Sequence, residues 1–181
     1  MPDPAADGGR DGQHRPLPVA IEKLAAAGPA RGLESKLMLY GRFVGSWDVD
    51  ATDFEGDGSS RRRRGEWHFA WVLGGRGVQD VLYAVGSPPE LFGTTLRCYD
   101  AERDIWHVSW MAPAGGEFVH LVGRESEDGI VQIGQGPDPT RVERWTFSEI
   151  SDDAFLWRGE VSYDGGDEWT LVQEMRAARR R

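Results

Sequence analysis

The sequence predicts an all-β protein: a ten-stranded up-and-down antiparallel barrel that is capped by a short N-terminal helix. From Phe43 onward, apolar and polar residues alternate with a period of two, as in strands that bury one face. Short segments rich in Gly, Asp and Pro separate the alternating stretches, which is typical of hairpin turns. A meander of hairpins leaves two unpaired edges unless the sheet closes on itself, so a closed barrel is favoured.

The chain divides into two parts, a flexible N-terminal segment (1–32) and a barrel domain (33–181). Residues 1–15 are rich in Pro, Asp and Gly, and we expect disorder there because they bury too little apolar surface to offset the entropy of ordering. Two short helices are predicted next, at Pro18–Ala27 and at Leu33–Tyr40. The first of them is a candidate lid over the mouth of the barrel.

Ten strands follow, and a barrel of eight or more strands has room inside for side chains or for one small ligand. Tryptophan and phenylalanine are frequent in these strands, which predicts an aromatic interior. The predicted strands centre on Trp47–Ala51, Trp67–Leu73, Val78–Ala84, Thr94–Tyr99, Ile105–Met111, Phe118–Gly123, Ile130–Gly134, Val142–Phe147, Phe155–Ser162 and Trp169–Met175.

Composition and charge exclude several classes of protein. The formal net charge of −9 argues against a protein that coats nucleic acid, because such binding needs a basic face. A single cysteine, Cys98, excludes an internal disulfide framework. No apolar run approaches the ~20 residues that span a bilayer, and residues 1–15 lack the apolar stretch of a signal peptide. We therefore expect a cytoplasmic protein with neither nucleic-acid nor membrane partners; a homodimer stays open.

Several motifs resemble those of known barrels. Gly45-Ser46-Trp47 is similar to the Gly-x-Trp opening of calycin-type barrels, which include lipocalins, fatty-acid-binding proteins and nitrobindins. Four further stretches resemble a bacterial family of uncharacterised calycin-like proteins, and the resemblance covers roughly 33–176. It implies a calycin-like barrel with a ligand-sized cavity, and it implies no reaction. The four stretches lie within 65–80, 93–100, 144–147 and 157–169.

The same resemblance bears on cofactors. Haem-binding nitrobindins carry a proximal histidine near the C-terminus, whereas this chain has no histidine after His120. We therefore expect no haem and no other cofactor. A metal site is not predicted either, because His68, His107 and His120 lack the short spacing that is typical of zinc ligands.

Two histidines are candidate acid–base residues if the protein is an enzyme. A turn that pairs Ala112 with Glu117 places Ser109 opposite His120, and it puts His107 and His120 on one face of the sheet. The opposite face carries the tryptophans, and a wholly apolar face is ordinarily the inner one. The alternative is therefore that both histidines face water.

Arg97 is the candidate charge partner of a ligand, and its position depends on one turn. Pairing Tyr99 with Ile105 places Arg97 opposite His107, on the histidine face. A slip of one residue in the turn moves Arg97 to the tryptophan face instead.

Arg144 and Glu160 form a second candidate pair. They could receive an anionic ligand or brace the barrel structurally. The calycin resemblance favours the structural role, since it implies an arginine packed against the first-strand tryptophan, here Trp47.

Three hypotheses for function follow from these observations. The leading one is cofactor-free binding of an apolar or aromatic small molecule in the barrel cavity. The alternative is a cyclase or isomerase of a polyketide- or terpenoid-type natural product, with His107 or His120 as acid or base. The third is a barrel filled by its own tryptophans that serves as an interaction module. The predicted ligand-binding residues are Trp47, Trp67, Trp71, Tyr83, Arg97, Trp110, Arg144, Trp145, Trp157 and Glu160.

Overall fold

The computed structural model describes residues 16–85 and 90–181, so the disorder expected for residues 1–15 lies outside the described residues. Two helices, α1 (Val19–Leu24) and α2 (Glu34–Gly41), precede the strands. Neither is long and apolar enough to cross a membrane, a statement that covers the described residues only. The strands are β1 (Gly45–Phe54), β2 (Ser60–Val72), β3 (Gly77–Ala84), β4 (Glu90–Asp100), β5 (Ile105–Ala112), β6 (Glu117–Ser126), β7 (Gly129–Gln135), β8 (Val142–Ser148), β9 (Ala154–Ser162) and β10 (Thr170–Arg179).

The strands close into one antiparallel barrel, which confirms the predicted architecture. Each strand pairs with its neighbours in sequence, and β10 returns to pair with β1 from Trp47↔Arg179 to Asp53↔Gln173. Among the ten strands that the structure describes, closure leaves no edge unpaired. The observed strand ends differ from the predicted ends by a few residues. Leu73, for example, leaves β2 at a positive φ of 54° and starts the turn to β3.

Helix α2 closes one end of the barrel, which we call the closed end (α2 and the turns at 73–76, 101–104, 127–128 and 149–153). Leu37 and Tyr40 of α2 are both 0% exposed, and Phe43 follows them into the core. The indole Nε1 of Trp47 donates a hydrogen bond of 2.7 Å to the carbonyl of Phe43, which fixes the start of β1 to the end of the helix. Gly123 gives Tyr40 its space, because a Cβ at that position would overlap the Tyr40 hydroxyl.

The segment before α2 also lies at the closed end. The amide of Ala26 donates to the carbonyl of Trp71 at 2.9 Å, and the amide of Ala30 donates to that of Gly75 at 3.1 Å. Trp71 and Gly75 lie at the closed end, whereas β2 begins at the opposite, open end (the mouth). The segment that contains α1 therefore does not cover the mouth. The hypothesis that Pro18–Ala27 acts as a lid there is wrong in its placement.

The closed half of the barrel is packed solid with aromatic rings. Phe43 lies at the centre of this cluster, with ring centroids 4.8 Å from those of both Phe147 and Phe155. Phe155 in turn packs edge-on against Trp47 at 4.7 Å. The hypothesis of a barrel filled by its own rings therefore describes this half, and the opposite half differs.

Candidate ligand-binding cavity

A cavity of about 480 Å³ occupies the other half of the barrel. It opens at the mouth, the end formed by the turns at 55–59, 113–116, 136–141 and 163–169, and Gly116, Pro137 and Asp138 line its rim. The volume lies within the range of about 300–1,000 Å³ that is usual for small-molecule sites.

The hollow arises from a decrease in side-chain size along the inner face of three strands, the adjacent pair β1 and β2 and the nearby β9. From the closed end towards the mouth, β9 places Phe155, Trp157 and then Gly159 inside. The inner residues of β2 follow the same order, with Phe69, Trp67 and Gly65, and those of β1 are Trp47, Val49 and Ala51. On these three strands the largest inner side chains lie towards the closed end. The smaller inner residues towards the mouth leave an open volume.

Four tryptophans form the main apolar wall. Their rings follow one another as Trp67, Trp157, Trp145 and Trp110, with successive centroids 6.4, 5.6 and 6.3 Å apart and interplanar angles of 83°, 64° and 82°. All four line the cavity. These edge-to-face contacts hold the rings in fixed positions, so the wall is built before a ligand enters.

A buried ion pair lies beneath this wall. Arg97 and Asp80 are each 1% exposed, and the Arg97 Nη1 donates a hydrogen bond to the Asp80 carboxylate. The other carboxylate oxygen of Asp80 accepts from the amide of Thr95 at 3.0 Å. The charge of Arg97 is thus matched within the protein.

Aromatic rings enclose the Arg97 guanidinium as well. Its central carbon lies 5.3, 5.6 and 5.7 Å from the ring centroids of Tyr40, Phe69 and Phe147. Cation–π attraction adds to the ion pair at such distances. Arg97 therefore links the packed half of the barrel to the wall of the cavity.

A second ion pair lies at the mouth. Arg63 donates two hydrogen bonds of 2.7 Å to Asp53, and its guanidinium stacks on Phe92 at 4.4 Å. Gln173 donates to the same carboxylate at 2.6 Å. Burial opposes ionisation of Asp53, but the hydrogen bonds from Arg63 and Gln173 outweigh it, so its pKa lies below the ordinary value.

Two glutamates complete the cavity, and neither is among the site residues predicted from the sequence. Glu143, 5% exposed, accepts from the Nε1 of Trp145 at 3.4 Å and forms an ion pair with Arg141 at 2.8 Å. Glu117 accepts from the Nε1 of Trp110 at 3.1 Å. Burial raises the pKa of Glu143; Arg141 and the Trp145 hydrogen bond oppose the rise, and the charge of Glu117 adds to it.

Six of the ten predicted ligand-binding residues line the cavity, and four lie elsewhere. Trp47 and Trp71 belong to the packed aromatic core. Arg144 and Glu160 form a salt bridge with distances of 2.8 and 2.9 Å, and Arg144 also stacks on Trp169. The six that line the cavity are Trp67, Tyr83, Arg97, Trp110, Trp145 and Trp157.

Arg144 and Glu160 lie on the outer face of the barrel, because their neighbours Glu143 and Gly159 face the cavity. The expectation that Arg144 packs against Trp47 is therefore wrong. Arg179 fills that role, with its guanidinium 4.1 Å from the Trp47 ring.

The two candidate acid–base histidines lie on the outer face and are exposed. The predicted pairings Ala112↔Glu117 and Ser109↔His120 are confirmed. The pairing of Arg97 with His107 is wrong, because Arg97 pairs with Val108 and points inward. Neither histidine lines the cavity, so neither can act on a molecule held there.

The third strand histidine, His68, belongs to a hydrogen-bonded chain that the sequence analysis missed. Its Nδ1 lies 2.9 Å from the Ser46 hydroxyl and its Nε2 lies 3.1 Å from Glu66. Arg180 holds Glu66 in turn at 2.7 Å. Ser46, His68 and Glu66 are not among the residues that line the cavity, so this chain braces the outside of the barrel.

Solved structures share the fold of this chain. The crystal structure of Rv2717c from M. tuberculosis matches it with a TM-score of 0.56 and 16% identity, over 81% of this chain and 98% of that one. The S-type phycobiliprotein lyase CPES from Guillardia theta matches with a TM-score of 0.57 and 10% identity, over 77% and 89% of the two chains. No protein-family model and no curated protein sequence matches the chain. The protein therefore has a calycin-like barrel fold.

Proposed function

We propose that the protein binds an apolar or aromatic small molecule in the mouth half of its barrel, without a cofactor. The observation that carries this proposal is the open cavity of about 480 Å³ walled by Trp67, Trp110, Trp145 and Trp157. An apolar ligand that enters it removes its own surface and that of the indoles from water. Such burial is worth about 25 cal/mol per Å² of apolar surface.

The position of Ala51 supports binding over simple packing. Gly65 and Gly159 are required by local packing, because a Cβ would lie 2.7 Å from the Tyr83 carbonyl oxygen and 2.6 Å from the Trp157 ring respectively. Ala51 differs from them, since it occupies an inner position of β1 and lines the cavity. A barrel selected only for stability gains from a larger side chain at such a position, because protein interiors are ordinarily close-packed. Space kept open beside a rigid aromatic wall is what a ligand site needs.

The enzyme alternative, a natural-product cyclase or isomerase, depended on a histidine acid or base. His107 and His120 lie outside the barrel, so this form of the hypothesis has no histidine to use. One structural neighbour is named a lyase, which is compatible with enzymes on this fold. Binding remains the function that the cavity supports best.

A fluorescence titration tests the proposal. N-phenyl-1-naphthylamine is uncharged at neutral pH and accepts energy from tryptophan, so binding beside the indole wall should quench tryptophan emission and sensitise probe emission. The variant Ala51→Phe places a ring inside the cavity and should weaken probe binding at least tenfold. Thr52→Phe adds the same ring to the outer face and should leave binding unchanged. Absence of a response in the wild type, or equal binding by both variants, contradicts the proposal.

A further inference from the structure

We infer that the ligand is a lipophilic cation, an amine or quaternary ammonium group on an apolar body, held between the indoles and the carboxylates of Glu117 and Glu143. This inference rests on the proposed function and names the chemical class of its ligand. It follows from the charges around the cavity and from the geometry of the tryptophans.

The arginines that face the cavity offer no free charge to an anion. Arg97 forms an ion pair with Asp80 inside the barrel, and Arg63 forms a bidentate ion pair with Asp53 at the mouth. The bidentate pair of Arg63 uses the donors that would otherwise bind a ligand carboxylate. Arg97 donates to Asp80 through Nη1 only, and its Nε has no hydrogen-bond partner among the described residues, but its positive charge is matched by the Asp80 carboxylate. An anionic ligand would therefore meet each of these two arginines with a carboxylate already beside it.

The other charged groups on the rim are also engaged. Arg64 is largely exposed and lies 3.6 Å from Asp50 on the outer face. Asp138 accepts from the amide and the hydroxyl of Thr140 within its own turn, at 2.9 and 2.7 Å. Each of these two groups, although it lies at the rim of the cavity, therefore already has a partner of its own.

The two glutamates differ from these groups because, among the described residues, only Glu143 has a cationic partner. Arg141 forms its ion pair with Glu143, and its side chain is 39% exposed while that of Glu143 is 7% exposed. Within residues 16–85 and 90–181, Glu117 forms no salt bridge, and its hydrogen bond comes from the neutral indole of Trp110. The cavity wall therefore carries an excess of negative charge at Glu117 and Glu143.

Two of the tryptophans lie directly beside these carboxylates. The Nε1 atoms of Trp110 and Trp145 donate to Glu117 and Glu143 respectively, so each glutamate fixes one indole. The two rings are nearly perpendicular, with centroids 6.3 Å apart, and Trp157 continues the wall. Ring faces carry partial negative charge and attract cations, and Trp does so most strongly among the aromatic residues. An ammonium group between these carboxylates and the indole wall would be attracted by both, with the apolar body of the ligand towards Trp67.

Isothermal titration calorimetry with three probes that share a phenyl ring on a four-carbon chain, and that differ in the polar end, tests the charge of the ligand. The probes are 4-phenylbutyltrimethylammonium, 4-phenylbutanol and 4-phenylbutanoate. We expect the ammonium probe to bind at least tenfold more tightly than the alcohol, and the carboxylate to bind most weakly. The double variant Glu117→Gln with Glu143→Gln should bring the ammonium probe to the affinity of the alcohol while the affinity for the alcohol stays unchanged. Retained alcohol binding shows that the double variant is folded.

Glu127→Gln is the matched control, because it removes one exposed carboxylate at the closed end of the barrel. It should leave the affinities for all three probes as they are. Equal binding of the ammonium probe and the alcohol, tighter binding of the carboxylate, or unchanged ammonium binding in the double variant overturns the cationic ligand and leaves the proposed function standing. Failure of all three probes, together with failure of N-phenyl-1-naphthylamine, overturns both.

Discussion

Asp80 and Arg97 form an ion pair inside the barrel, on the adjacent strands β3 and β4, at inner positions that aliphatic residues usually occupy. Neither charge reaches water, since each residue is 1% exposed. Desolvation of two charges is costly, so such a pair is tolerated only when both partners are present and hydrogen-bonded. The Thr95 amide supplies part of that support to Asp80.

Removal of one member of this pair should destabilise the fold strongly. We expect Arg97→Met to lower the free energy of unfolding by about 3–5 kcal/mol, because it leaves the Asp80 carboxylate buried without a partner. The double variant Asp80→Leu with Arg97→Met should recover most of that loss. Urea unfolding followed by tryptophan fluorescence measures both. An Arg97→Met protein as stable as the wild type would contradict the burial of the pair.

An exposed ion pair serves as the control for this experiment. Lys36 and Asp104 lie 2.7 Å apart, and both side chains are more than half exposed. Water screens such a pair, so Lys36→Met should shift the unfolding midpoint far less than Arg97→Met does.

Glu143 should make stability depend on pH. Burial raises its pKa above the ordinary value of 4.5, so the folded chain holds this proton more tightly than the unfolded chain. Above the pKa of the folded state, the ionised carboxylate therefore lowers the free energy of unfolding. This loss disappears as the pH falls through the pKa of the folded state to the ordinary pKa. Glu143→Gln should be more stable than the wild type at pH 7, and the difference should vanish near about pH 4.

Urea titrations at the two pH values measure this effect. Glu127→Gln, on an exposed turn, should show no comparable difference between them. A Glu143→Gln protein that is less stable than the wild type at pH 7 would mean that the ion pair with Arg141 outweighs the burial of the carboxylate.

Gly123 should be required for the closed end. A methyl group at this position overlaps the Tyr40 hydroxyl, which lies in a fully buried side chain. We expect Gly123→Ala to lower the free energy of unfolding by about 1–3 kcal/mol through overpacking. Gly56→Ala is the matched control, because a Cβ there has no heavy atom within 4 Å. Equal thermal midpoints for the two variants would contradict the packing of Tyr40 against β6.

The histidines should be irrelevant to binding. His107 lies 3.4 Å from Asp100 and His120 lies 3.1 Å from Ser109, both on the outer face. His107→Ala and His120→Ala should therefore bind N-phenyl-1-naphthylamine with the affinity of the wild type. A loss of more than threefold in either variant, with an unchanged unfolding midpoint, would place that ring in contact with the ligand.

The alternation of residues predicts the barrel because closure depends on a pattern that runs through every strand. The pairing of β4 with β5 shows where such reasoning fails. Asp100 pairs with Ile105, so the turn has one residue fewer than predicted. The Asp100 carboxylate accepts hydrogen bonds from the amides of Glu102 and Arg103, and Asp104 adopts a positive φ of 51°. A non-glycine residue in that conformation is uncommon, so the alternation alone does not reveal the register.

The position of Glu143 in the cavity follows from the residue pattern of β8. It lies two residues before Trp145 on β8, and four before Phe147, so the alternation places all three on the inner face. An ionisable residue in phase with buried aromatic residues is a candidate for a site. Arg97 is in phase with the core as well, but only the register of the turn after β4 brings it beside the core rings.

A crystal structure of the protein with N-phenyl-1-naphthylamine tests the central claim most directly. We predict electron density for one probe molecule inside the barrel, in contact with Trp67, Trp110, Trp145 and Trp157. Side chains that fill the mouth half of the barrel, or a probe bound only to the outer surface, would contradict the ligand-binding cavity.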